Sequence, residues 1–169
     1  MFAPNDNARV LFEPFVTLDP AWTGIAGWQL GVDHSSITPL VGNATMISRQ
    51  VDGRVMAVSL SFEVPSTATL VLSLGPGVVP CEMRCIAGSC VLHSVQSGVP
   101  SDTTPVAVTR GTLRLFAFPG GFMLPSTHCS ILLPDGSISS VVTEDSGNGS
   151  EIDVSATAGI RIMGIDAIR

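Results

Sequence analysis

The chain reads as an all-β fold, an antiparallel eight-stranded jelly-roll sandwich or barrel, on three observations. Apolar, β-branched runs recur at short spacing: Val55–Val64 (VMAVSLSFEV), Ala68–Leu74 (ATLVLSL), Gly111–Phe118 (GTLRLFAF) and His128–Leu133 (HCSILL). Turn chemistry separates them, in Asp52-Gly53, Gly75-Pro76-Gly77, Pro119-Gly120-Gly121 and Pro134-Asp135-Gly136. No segment sustains the 3.6-residue apolar period of a packed helix. Short strands with turns between them build two-sheet sandwiches and barrels.

Taken in order, Ala8–Val16 (ARVLFEPFV) favours a strand, and Pro14 confines it to an edge or a bend. Trp22 and Trp28, the only two tryptophans, follow close together around Thr23–Leu30. They read as core anchors or a plug at a subunit interface, ahead of a sugar-stacking platform. Asn43–Val51 enters a hairpin through Asp52-Gly53. On the next strand Met56, Val58, Leu60, Phe62 and Val64 form the buried face, with Val55, Ala57, Ser59, Ser61 and Glu63 opposite. Ala68–Leu74 leads to a Gly-Pro-Gly corner. Cys81–Ala87 (CEMRCIA) is expected to form a helical turn, Ser89–Val95 a strand and Ser97–Pro105 a loop.

Val106–Val108, Leu113–Phe118, Ile131–Leu133 and Ile138–Val142 supply further strands, and Glu144–Ser150 a polar loop. The last segment, Ile152–Arg169, alternates apolar residues through Ile160, Ile162 and Ile165. It is a final strand or an arm that docks on a neighbouring subunit, the second being expected. The 169 residues form one domain, with 1–54 an irregular part containing edge strands and 152–169 a C-terminal strand or arm.

Composition narrows the function. Mean hydropathy is +0.45, and 13% of residues are charged, which implies an apolar surface that meets a partner. No uninterrupted apolar run reaches the roughly 18 residues of a membrane span. Met1–Arg9 (MFAPNDNAR) lacks a basic region followed by an apolar stretch, so no secretory signal is read there. The net charge is −6, and the eight cationic residues are all Arg, none adjacent to another. Phosphate neutralisation needs clustered cations, so genome RNA would be bound at most weakly.

Reactive constellations are sparse. Cys81, Cys85, Cys90 and His93 give C-x3-C-x4-C-x2-H, which is no standard zinc spacing. Together with Cys129 these cysteines are expected to be buried thiols, with a disulfide or a metal as the lesser alternatives. Asp145-Ser146-Gly147 matches an aspartic-protease triplet but sits in a polar loop, without the sheltered carboxylate pair that chemistry needs. His34, His93 and His128 accompany many serines, yet no G-x-S-x-G elbow is present. Asn43-Ala44-Thr45 and Asn148-Gly149-Ser150 are glycosylation triplets. The expectation is no enzyme activity, no cofactor and no metal.

The order of segments resembles the coat proteins of picorna-like icosahedral RNA viruses. Ala68–Gly77 is similar to their strand ending in a Pro/Gly corner, Cys90–Gly98 to the following strand, and Thr104–Val108 to the next. Gly111–Gly120 and His128–Val142 resemble the last two strands. The resemblance implies a capsid subunit that packs with other capsid subunits into a shell around RNA. Its setting would be the virion, and the host cytoplasm during assembly, with any host surface ligand unidentified. Trp22, Trp28, Ile160, Ile162 and Ile165 are the expected assembly residues. The alternative is a β-sandwich recognition module, carbohydrate-binding or receptor-binding, with aromatic side chains lining an exposed groove.

Overall fold

The computed structural model describes residues 9–40, 45–75, 78–96, 98–118, 126–144 and 149–169. Among these, every paired strand is antiparallel, and the strands lie in two sheets that face each other across one core. The all-β sandwich expected from the turn spacing is what forms. The described residues hold fifteen strands, because short segments pair along the sheet edges beside the longer ones.

One sheet, sheet A, has eight strands. Its long members are β5 (Ala57–Glu63), β11 (Arg110–Phe118), β12 (Ser126–Leu132), β13 (Ile138–Glu144) and β15 (Arg161–Ile168). They run in the order β13-β12-β11-β5-β15. The far side of β15 is shared by β1 (Arg9–Glu13) at one end and β3 (Ile37–Pro39) at the other, and β2 (Trp28–Leu30) pairs with β3. Sheet B has seven strands: β4 (Thr45–Gln50), β6 (Ala68–Ser73), β7 (Cys81–Ile86), β8 (Ser89–Gln96), β9 (Val99–Asp102), β10 (Val106–Ala107) and β14 (Glu151–Ala156). Here the order is β8-β7-β6-β14-β4, with β9 and β10 sharing the outer side of β8.

Alternation along the strands decides what is buried. Val58, Leu60 and Phe62 of β5 face inward, as do Leu70 and Leu72 of β6, Leu113 and Leu115 of β11, and Ile131 of β12. Met56, expected to continue the buried face, is half-exposed and lies before β5 begins, while Val55 is buried in its place. The β-strand period of two holds only inside the strand, and the preceding crossover breaks it.

Four expectations change. Asp52-Gly53 does not close a hairpin: β4 and β5 belong to different sheets, and residues 51–56 carry the chain between them. That crossover runs beside residues 149–150, with Val51 N–H donating to the Ser150 carbonyl at 2.8 Å and Val55 N–H to that of Gly149 at 3.0 Å. Cys81–Ile86 is a strand, not a helical turn, because Cys81, Met83 and Cys85 alternate into the core. The 3-10 turn lies instead at Ile25–Gly27. Part of the loop expected at 97–105 pairs with β8 as β9.

The cysteines are the fourth correction. They are not free thiols: Cys81 of β7 is bonded to Cys129 of β12, tying the two sheets together, and Cys85 is bonded to Cys90. The second pair lies directly across the β7–β8 hairpin. Its turn, Ala87-Gly88, has φ of 53° and 80°, the left-handed conformation that a two-residue hairpin demands. Opposed positions on adjacent strands bring the two side chains within bonding reach.

The segment 152–169 is not an arm for a neighbour. It supplies all but the first residue of β14, between β4 and β6, and all of β15, between β5 and the β1/β3 edge. Ile152, Val154, Ile160, Ile162, Ile165 and Ala167 are all buried in the chain's own core. Deleting residues 152–169 should abolish folding rather than assembly alone, read as loss of the β-sheet circular dichroism and of any cooperative urea transition. Replacing Cys81 and Cys129 together by Ala should destabilise the domain by about 2–4 kcal/mol, since the bridge closes a long loop of the unfolded chain. An unchanged urea midpoint would count against the inter-sheet bridge.

Candidate functional site

The strand period that fills the core with aliphatic residues leaves a polar row on the outer face of sheet A. With Leu113 and Leu115 inward, Arg114 and Phe116 point outward, and Ser59 and Ser61 do so opposite Val58 and Leu60. The register aligns them across the strands: Ser140 is opposite Ser130, Ser130 opposite Arg114, Arg114 opposite Ser59, Ser59 opposite Asp166, and Asp166 opposite Phe12. Cross-strand partners on one face stand about 4.5–5.5 Å apart at Cβ. The row therefore forms a belt of hydroxyls and charges perpendicular to the strands.

A groove of about 700 Å3 lies over the part of this belt from Arg114 to Phe12, lined by Arg9, Phe12, Ser59, Ser61, Arg114, Phe116, Met163 and Asp166 among others, with Ser130 and Ser140 beyond its edge. Met163 is the extra residue of a bulge in β15: Ile162 pairs with Phe62 and Gly164 with Ser61, leaving Met163 without a ladder partner. At the β1 end Arg9 holds Asp166 in a two-pronged ion pair, Nη2 to Oδ2 at 2.7 Å and Nε to Oδ1 at 3.1 Å. The same guanidinium lies 5.0 Å from the centre of the Phe12 ring. Phe12 is 60% exposed and Phe116 36% exposed, so both offer aromatic surface to solvent at the groove. Arg114 is different from Arg9: its Nε is buried and has no hydrogen-bond partner.

The residues expected to form an assembly surface are elsewhere. Trp22 and Trp28 are each 1% exposed. Trp22 Nε1 donates to Glu13 Oε2 at 3.1 Å, and its ring packs 5.8 Å from that of Phe15. Glu13, buried itself, also accepts from the Phe15 N–H at 3.0 Å and from Arg49 Nη1 at 3.4 Å. The tryptophans thus anchor the N-terminal part to the body and do not line a groove. Ile160, Ile162 and Ile165 lie inside the sandwich and present nothing to a second subunit. All five are buried within the chain's own fold.

Of the histidines, His128 lies opposite Phe116 on the outer face of sheet A, and His93 is on the other sheet. His93 Nδ1 lies 2.7 Å from Asp102 Oδ1 on the outer side of sheet B, away from the groove. Asp145, Ser146, Gly147, Asn43 and Asn148 lie outside the described residues. No group of three or more potential metal ligands exists among the described residues. No helix among them is long and apolar enough to cross a membrane. Sequence reasoning placed Ser59 and Ser61 on the face opposite the core but missed Arg9, Phe12, Arg114, Phe116 and Asp166. The signal was there in β11, where Arg114 interrupts an apolar run at an outward position.

No family model matches the chain, and no curated protein matches it. Solved structures do match in fold. The carbohydrate-binding module CBM66 from Bacillus subtilis is 10% identical with a TM-score of 0.52, over 85% of this chain and 91% of that one. A Crh5 transglycosylase in complex with NAG is 13% identical with a TM-score of 0.63, over 96% and 85%. A Lotus tetragonolobus seed lectin is 10% identical with a TM-score of 0.52, over 95% and 99%. These proteins share the β-sandwich, and none of the three is a viral coat protein.

Asp19 offers a pH test of the N-terminal anchor. Its carboxyl titrates below the ordinary 3.8, chiefly because the Ala21 N–H donates to it, with Arg49 adding to this and burial opposing it. A depressed carboxyl stabilises the fold above its unfolded value and loses that contribution as pH falls through its folded one. Asp19→Asn should cost about 0.5 kcal/mol at pH 7, as for a partly exposed ion pair. The difference from the parent chain should shrink toward zero by about pH 2 in urea titrations.

Proposed function

We propose that this chain is a carbohydrate-recognition module that holds a saccharide in the groove on the outer face of sheet A. The observation that carries the proposal is the transverse row Arg114, Ser59 and Asp166 in the groove, continued beyond it by Ser130 and Ser140 and bordered by exposed Phe116 and Phe12. A sugar ring has hydroxyls around its rim and C–H groups on its faces. Hydroxyl, guanidinium and carboxylate side chains match the rim, and a phenyl ring covers the face with apolar surface at little cost in conformational entropy. Sheet strands hold these groups more rigidly than loops do, which lowers the ordering cost of binding.

Binding without bond cleavage is the activity proposed. Glycoside cleavage ordinarily uses two carboxyl groups flanking the scissile bond. Asp166 is the one carboxylate lining this groove among the described residues, and Arg9 already engages it. The fold shared with a carbohydrate-binding module and a lectin is compatible with this reading. The two disulfides support an oxidising setting, where such a module would meet glycans. The coat-subunit reading has no comparable support, since its five assembly residues are spent on the domain's own core.

Glycan-array screening followed by calorimetry tests the proposal. Phe116→Ala should weaken saccharide binding roughly tenfold, equivalent to about 1.4 kcal/mol. Ser48→Ala, on the outer face of sheet B, should leave binding unchanged. Equal losses from both substitutions, or no loss from Phe116→Ala, would move the site off this groove.

A further inference from the structure

Resting on the carbohydrate reading, we propose that the groove selects an acidic saccharide and that Arg114 pairs with the ligand's carboxylate. Arg114 stands at the middle of the five-strand row, with Ser59 on one side and Ser130 on the other. Its Nε is buried without a hydrogen-bond partner. An unsatisfied buried donor on a charged group costs stability, and no hydrogen bond to Nε offsets that cost among the described residues.

The contrast with the other arginines is specific. Arg9 pairs with Asp166, Arg49 with Glu13 and Asp19, Arg84 with Glu82, and Arg161 with Asp33 and Glu63. Arg54 and Arg110 are exposed, so water can solvate them. Arg114 is partly buried and takes part in no ion pair among the described residues. Since Arg9 and Asp166 cancel, the charges lining the groove sum to one positive charge, Arg114, on a chain whose net charge is −6. Such an isolated cation favours an anionic ligand locally while the rest of the surface disfavours it.

Geometry selects the kind of anion. A guanidinium presents parallel N–H donors that match the two oxygens of a planar carboxylate. Ser59 and Ser130, directly opposite Arg114 on the flanking strands, are placed to hydrogen-bond hydroxyls beside that carboxylate. Phe116, outward on the same strand, would cover the adjoining ring face. A hexuronate or a sialate carries this combination of carboxylate, hydroxyls and apolar ring face, and a neutral hexose lacks the first.

The test uses the whole chain against immobilised oligogalacturonate, sialyllactose and heparin, with methyl-esterified oligogalacturonate and lactose as neutral partners. Carboxylated probes should bind, esterification should abolish binding, and Arg114→Met should weaken it at least tenfold. Without ligand, Arg114→Met should melt about 2–4 °C higher, because it removes the unsatisfied buried donor. Equal binding of the neutral probes by parent and Arg114→Met chains would overturn the acidic specificity and leave carbohydrate recognition standing. Binding of heparin alone would overturn the carboxylate assignment in favour of sulfate. Failure to bind any of the five would overturn both the specificity and the carbohydrate reading. A lower melting temperature for Arg114→Met would show that its charge is used within the fold and would overturn the inference.

Discussion

The pairing of β15 along β5 is the contact on which the rest of the domain depends. Strand β5 stands at the middle of sheet A, and its two hydrogen-bonding sides are filled by β11 and β15. Among the described residues strand β15 in turn is the only partner of β1 and the link between β3 and the sheet. The Glu13–Trp22–Arg49 cluster that fixes the N-terminal part begins at the end of β1, so it exists only once β15 is in place. Its inward side chains Ile162 and Ile165 each contribute roughly 2–3 kcal/mol by burial. The last strand of the chain is therefore a structural centre.

The groove follows from the same constraint. A sheet with one face in the core must put its alternate residues on the other, and the chain places Ser, Thr, Arg and Asp there beside the exposed Phe12, Phe116, Ile138 and Ile168. The bulge at Met163 shifts the register of β15 so that Asp166 falls opposite Ser59 and Phe12. Without that extra residue, the period of two would reverse which of Ile165 and Asp166 faces the core. A single irregularity thus aligns the acidic end of the row with its hydroxyl middle.

Much of this was legible in the amino-acid order, and the reasons differ by element. The runs at β5, β6, β11 and β12 were readable because inward and outward positions alternate cleanly. Pro134-Asp135-Gly136 was readable as a turn, and Asp135 indeed accepts the Ser137 N–H at 2.9 Å between β12 and β13. Asp52-Gly53 misled because a turn dipeptide serves a crossover as well as a hairpin, and only the sheet assignment of both flanking strands distinguishes them. Cys81–Ile86 misled because charged residues at its outward positions, Glu82 and Arg84, made the segment too polar to stand out as a strand. The disulfides were hidden for a physical reason: Cys81 and Cys129 are 48 residues apart and meet only after both sheets have formed. The groove residues come from β1, β5, β11 and β15, so their convergence is a property of register that no local pattern carries.

Strands β1 and β15 pair so that Arg9 lies opposite Ile168. The two extremities of the described fold therefore leave the body side by side, at the groove end that holds the Arg9–Asp166 pair. The order of strands is in this sense nearly circular, and a short linker could join Arg9 to Arg169 while the chain was opened elsewhere, for example at Ala87-Gly88. That hairpin is held on both sides by the Cys85–Cys90 bond, so a cut there would leave its strands covalently joined. Such a rearranged molecule would keep every sheet register described above with a different beginning and end. What holds this domain together is the packing of its two sheets around one core.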